Sequence, residues 1–169
     1  MSDPSAFSVL ASAAAVALAG VLGAAAVAKR VRPAETVSSF RDLGLRRPEI
    51  LAVAVPVVEL AVAIGCLVWP RIGGWGAFFL LATFTALLLS VVRSGRKVSC
   101  RCFGAMSAAP VSGATIARNI VLMVGALATA SIDRLVGGLA TVLAGAGLLG
   151  IGALGVAMTE VRHTTGRLI

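Results

Sequence analysis

Cys100 and Cys102, separated only by Arg101, are the residues of this chain best suited to covalent chemistry. A thiolate is the nucleophile of disulfide exchange and the form that binds metals, and the cations at Arg96, Lys97 and Arg101 favour that anion. Ser112 is a candidate N-cap for the helix that follows, whose dipole acts in the same direction. A disulfide across a single residue closes a small, strained ring, and strain makes such a bond easier to reduce. The pair therefore suits exchange better than bracing. Two other readings stand beside this one: loop thiols without a task, since cysteine is also a small hydrophobe, and a soft-metal site. The metal reading lacks ligands, because His163, the single histidine, lies in the distant tail and a four-ligand zinc site cannot be assembled from one chain. No metal is expected.

Glu59 stands near the middle of an apolar run, where a lone carboxylate must face other helices, be paired, or be protonated. Its expected partner is Arg118, which sits with Asn119 in the first turn of a later helix and whose long side chain spans much of the difference in depth. Such a pair either fixes helix register or touches a proton or a quinone headgroup. Cys66 follows Glu59 by seven residues and shares its helix face about 10 Å further along the axis. Packing is the role expected of it. Pro56, one turn before Glu59, either kinks that helix or is absorbed by packing.

The elements that must position these residues are membrane helices. The chain has 169 residues, 59% hydrophobic and 13% charged, with no tyrosine, and a mean hydropathy of +1.00. That is far outside soluble composition and reads as one integral membrane domain over residues 1–169. A helix needs about 20 apolar residues to cross the hydrocarbon core, and five runs approach or meet this: 7–28, 50–69, 75–92, 115–130 and 135–158. The expected fold is therefore all-α, a polytopic transmembrane bundle of about five spans. The first run lacks the basic n-region of a signal peptide and is read as a retained span. Ala11, Ala15, Ala19 and Gly23 give it a smooth face, as Gly137, Thr141 and Gly145 do for the fifth. Residues 29–49 are read as a basic loop, 70–74 and 131–134 as turns, with Trp69 and Trp75 as anchors at one interface.

The net charge of +8 is topological in origin. Thirteen basic residues fall on one side of the five-span arrangement, in 29–49, 93–101, Arg118 and the tail, against Arg71 and Arg134 on the other. The positive-inside rule then puts the N-terminus outside and the C-terminus, with the Cys100 loop, in the cytoplasm. Basic residues confined to short loops argue against a nucleic-acid partner; the expected partner is the lipid bilayer.

The run Cys100-Arg-Cys102-Phe103-Gly104, the later Arg118-Asn119 at a helix start, and Pro56-x-x-Glu59 in an earlier span resemble the MauE family, related to DoxX-like membrane proteins. The resemblance covers most of the chain. It implies a four-helix core in a small multi-pass protein of the bacterial inner membrane that serves redox maturation, as in the biogenesis of methylamine dehydrogenase, whose small subunit needs many disulfides. On that analogy Cys100 and Cys102 are the redox pair of a thiol–disulfide oxidoreductase, and Glu59 and Arg118 the intramembrane polar pair, supported by Asn119. The implied partner is a thioredoxin-like or exported protein, and a quinone is the membrane oxidant in reach. The alternative is a non-catalytic subunit or assembly factor packed against a larger membrane complex through its small-residue faces. A transporter is disfavoured, since no inverted repeat is visible and Glu59 is the sole intramembrane acid.

Overall fold

The computed structural model describes residues 5–94 and 113–136, together with Gly145. Five helices lie in this part of the chain: α1 (Ala6–Val31), α2 (Pro33–Asp42), α3 (Pro48–Val68), α4 (Pro70–Arg93) and α5 (Gly113–Ala130). Ser5 opens α1, its Oγ accepting from the Ser8 backbone N–H at 3.2 Å. Prolines set most of the later boundaries. Pro33, Pro48 and Pro70 each take the first position of a helix, where the missing N–H costs nothing and the fixed φ is already helical.

α1, α3 and α4 are long and apolar enough to cross a membrane. At 26, 21 and 24 residues they extend about 39, 32 and 36 Å, against a hydrocarbon core of about 30 Å. α5 is apolar and shorter. Each of α1, α3, α4 and α5 packs on two of the others, in the cyclic order α1, α3, α4, α5. The all-helical membrane bundle expected from composition is thus what forms, with a four-helix ring at its centre.

Two expected connections prove to be helical. Residues 29–49 hold α2 in place of an open loop, and α1 runs on through Lys29 to Val31. The reason is local: Pro33 starts a new helix, Glu35 suits its first turn, and Phe40 pays for the turn's order by burying all but 1% of its surface. Phe40 and Leu43 join Ala52 of α3 and Leu88 and Val91 of α4 in one core cluster. The expected turn at 70–74 is likewise the start of α4, which leaves Trp69 alone between two spans. Trp69 and Trp75 are 65% and 46% exposed at that end, as interfacial anchors should be.

Close backbone approach is written in glycine at the α3/α4 end. A Cβ on Gly73 would collide with the backbone of Gly65 and Cys66, and one on Gly74 would lie 2.7 Å from the Ala126 carbonyl oxygen of α5. Of the small-residue face on α1, Ala11 and Ala15 are wholly buried within the chain. Gly145 is helical and sits on α1, where a Cβ would come 2.7 Å from Val16 Cβ. The other residues of the expected fifth span beyond Val136 lie outside the described residues.

α3 shows the inverted pattern a lipid solvent demands. Val53, Val57, Leu60 and Ile64 face outward, while Glu59 and Cys66 are buried.

Candidate functional site

Among the described residues, two links between polar side chains cross the interior of the bundle. In the first, Lys29 of α1 donates from Nζ to both carboxylate oxygens of Glu59 on α3, at 2.7 and 2.9 Å. Both side chains are only 2% exposed. The Lys29 ammonium also lies 5.9 Å from the centroid of the Phe84 ring of α4, within cation–π range. Thr36 of α2 closes the end of α1 above it, its hydroxyl donating to the carbonyls of Arg32 at 3.0 Å and Lys29 at 3.3 Å.

This pairing corrects the expected one. Glu59 is buried and ion-paired, but its cation is Lys29 and not Arg118. Arg118 is partly buried on α5; the carboxylate's described contacts all come from Lys29. Reading residues 29–49 as loop placed Lys29 in the headgroup region, whereas α1 in fact continues unbroken to Val31, with Arg32 as its cap before Pro33. The signal was present in the sequence: the apolar run from Phe7 has no helix breaker before Pro33, so Lys29 falls inside the helix. Its flexible stem then reaches inward instead of out to water.

The second link joins α4 and α5. Asn119 is completely buried and donates from Nδ2 to Thr85 Oγ1 at 3.2 Å. The Thr85 hydroxyl spends its one proton on the Leu81 carbonyl at 2.7 Å, so toward Asn119 it can only accept. That fixes the orientation of the amide and leaves Asn119 Oδ1 without a hydrogen-bond partner among the described residues. Met123 Sδ lies 4.0 Å from the same hydroxyl. Thr85 and Phe84 are adjacent in α4, so the two links meet at one turn of that helix. Thr85 carried no signal of its own in the sequence, because a threonine in an apolar helix usually bonds its own backbone.

Helix direction puts the Thr85–Asn119 link in one half of the bundle and Glu59 at its middle. Glu59 lies eleven residues after the start of α3, Asn119 six after the start of α5, and Thr85 eight before the end of α4. At 1.5 Å per residue these are depths of about 16, 9 and 12 Å from one end. The same end is where α4 leaves at Arg93 and α5 enters at Gly113. Cys100 and Cys102 belong to the connection between those two helices and lie outside the described residues, as do Ser112 and His163. Cys66 is a buried free thiol packed with Leu18, Leu22, Ala63, Ala77, Leu81 and Ala126, in keeping with the packing role expected of it. Among the described residues no three metal-binding side chains come together.

No solved structure matches the chain. A curated relative, the methylamine utilization protein MauE of Paracoccus denitrificans, is 37% identical over 98 residues, which is 56% of this chain and 53% of the relative. The chain therefore spans about half the length of the curated relative it matches. A family model described as methylamine utilisation protein MauE matches residues 7–132, a stretch that takes in α1 to α5, the Lys29–Glu59 pair and the Thr85–Asn119 link. On that match, which extends across about three quarters of the chain and takes in the Lys29–Glu59 and Thr85–Asn119 links, this multi-pass membrane protein belongs to the MauE family.

Proposed function

We propose that this protein acts in thiol–disulfide maturation of a partner protein, with Cys100 and Cys102 as its redox pair. The observation that carries the reading is that Cys100-Arg-Cys102 falls inside the family match over residues 7–132. The relative's name adds the setting of methylamine utilisation. In the exchange, one cysteine thiolate attacks a disulfide sulfur and forms a mixed disulfide, which the other cysteine resolves. Run in the oxidising direction, the partner leaves with a new disulfide and the pair returns as two thiols. A quinone then takes two electrons and two protons from the pair and becomes a quinol. The buried Thr85–Asn119 link holds α4 and α5, the helices that carry this connection, in register, and the Lys29–Glu59 pair does the same for α1 and α3.

On this proposal the protein lies in the bacterial inner membrane, N-terminus outside and C-terminus in the cytoplasm. Withdrawing Lys29 from the loop count leaves twelve basic residues against two, so the bias survives the correction. The alternative, a non-catalytic subunit or assembly factor docked through small-residue faces, loses ground because Ala11 and Ala15 are already buried within the chain.

Single variants test the reading. Cys100→Ser or Cys102→Ser should accumulate a partner-linked adduct that a dithiol reductant releases, since the resolving thiol is gone. Absence of any reducible adduct with both variants would sink the redox proposal. Membrane-impermeant maleimide on intact cells, before and after reduction, reads the side of the pair: labelling only after permeabilisation is expected.

A further inference from the structure

We infer that the end of the bundle bearing Arg30, Arg46, Arg47 and Arg93 is a binding surface for the phosphate-bearing headgroups of anionic phospholipids. The inference is independent of the cysteine chemistry. α1 and α4 finish at this end and α3 begins there, which brings Arg30, the Arg46-Arg47 pair and Arg93 to one rim. All four are exposed.

Two of the local glutamates are paired with other arginines. Glu35 is taken by Arg32 at 3.4 Å and Glu49 by Arg41 at 3.0 Å, and Glu59 by Lys29 in the interior. Arg30, Arg46, Arg47 and Arg93 make no ion pair among the described residues. Among the described residues, six arginines stand here against Glu35, Asp42 and Glu49. At the opposite end, Arg71 is matched by Asp133 at 3.0 Å.

Depth selects the ligand. Helices of about 36 to 39 Å overrun a 30 Å hydrocarbon core, so with Trp69 and Trp75 seated at one interface the arginine rim falls at headgroup level on the other. α2 is anchored to this end by Phe40 and Leu43, which pack with Ala52, Leu88 and Val91. The chain between α1 and α3 is therefore kept at the surface and does not extend into water. Guanidinium groups bind phosphate oxygens bidentately, and an anionic headgroup supplies the net charge that a zwitterionic one lacks.

Native mass spectrometry of the full-length protein, equilibrated with equimolar phosphatidylglycerol and phosphatidylcholine of matched chains, tests this. Each arginine near the surface contributes on the order of fivefold, so retained phosphatidylglycerol should exceed phosphatidylcholine by at least about fivefold. The quadruple variant Arg30→Gln, Arg46→Gln, Arg47→Gln, Arg93→Gln should bring the ratio near one, while Arg71→Gln with Arg134→Gln should leave it unchanged. A wild-type ratio near one overturns the inference, as does a quadruple variant that keeps its preference. Displacement of phosphatidylglycerol by inorganic phosphate would assign the rim to free anions instead, and polyglutamate binding without lipid preference would assign it to an acidic protein; either result refutes the headgroup assignment. Thermal shift of the wild type needs no variant: extra stabilisation by phosphatidylglycerol that fades at high salt is expected, and equal stabilisation by both lipids counts against it.

Discussion

Replacing Lys29 by Met should be the most damaging conservative change available in this bundle. The lysine satisfies both oxygens of Glu59 at 2.7 and 2.9 Å, and neither side chain is more than 2% exposed. Removing it strands a carboxylate in the interior, for which breaking a buried pair typically costs about 3–5 kcal/mol. Glu59→Gln strands the ammonium instead and should cost about as much, though the Phe84 ring at 5.9 Å softens it slightly. The double variant Lys29→Met, Glu59→Gln removes both charges and should recover most of the loss, giving a coupling energy of at least about 2 kcal/mol. Cys66 supplies the assay, being fully buried and a free thiol. In a Cys100→Ser, Cys102→Ser background, a fluorogenic maleimide reports opening of the bundle during a thermal ramp. The single variants should lower the midpoint by on the order of 10 °C. Additive losses in the double variant, or a Lys29→Met protein that melts with the wild type, would refute the pairing. Arg118→Gln combined with Glu59→Gln serves as the comparison and should show no comparable coupling.

Gly73→Ala and Gly74→Ala should each destabilise the bundle by about 1–3 kcal/mol or more, because their Cβ atoms meet backbone on the neighbouring helix. Gly23→Ala, with nothing within 4 Å of the added carbon, should be neutral or stabilising by up to about 1 kcal/mol; the same Cys66 ramp ranks all three. Thr85→Val deletes the acceptor for Asn119 Nδ2 and should cost about 1–3 kcal/mol, whereas Thr85→Ser should restore most of it; equal melting of the two variants would deny the bond a role.

Much of the bundle was legible because lipid leaves a helix few disguises. Long apolar runs located α1, α3, α4 and α5, and Trp69 and Trp75 marked an interface. The misreadings share one cause, which is that polar residues were assigned to loops by composition alone. Residues 29–49 read as loop and 70–74 as a turn, yet Pro33 and Pro70 within them are each the first residue of a helix. That reading hid α2 and moved Lys29 out of α1. Glu59 was recognised as buried and in need of a cation, since a lone acid at that depth permits little else. Which cation serves it depends on how far α1 extends and on which helices are neighbours, and neither is a local property. Thr85 shows the other limit: its hydroxyl acquires meaning only when α5 brings Asn119 against it.

The single residue between α3 and α4 also bears on how the molecule is assembled. One residue spans at most about 3.6 Å, so once both helices are inside the bilayer α4 has nowhere to lie except along α3. Gly65 and Gly73, eight positions apart, then meet at the tip of the hairpin. Among the contacts between two membrane-spanning helices these are short in sequence range, and they should form early. The Lys29–Glu59 pair that ties α1 to α3 joins residues 30 apart, and α5 begins more than 80 residues after α1 ends. The hairpin from Pro48 to Arg93 is accordingly the natural insertion unit, carrying only Arg71 at its leading tip. The lysine–glutamate pair is a late clasp: until α1 docks, Glu59 waits in the membrane without its cation, and its capture commits the four helices to one arrangement.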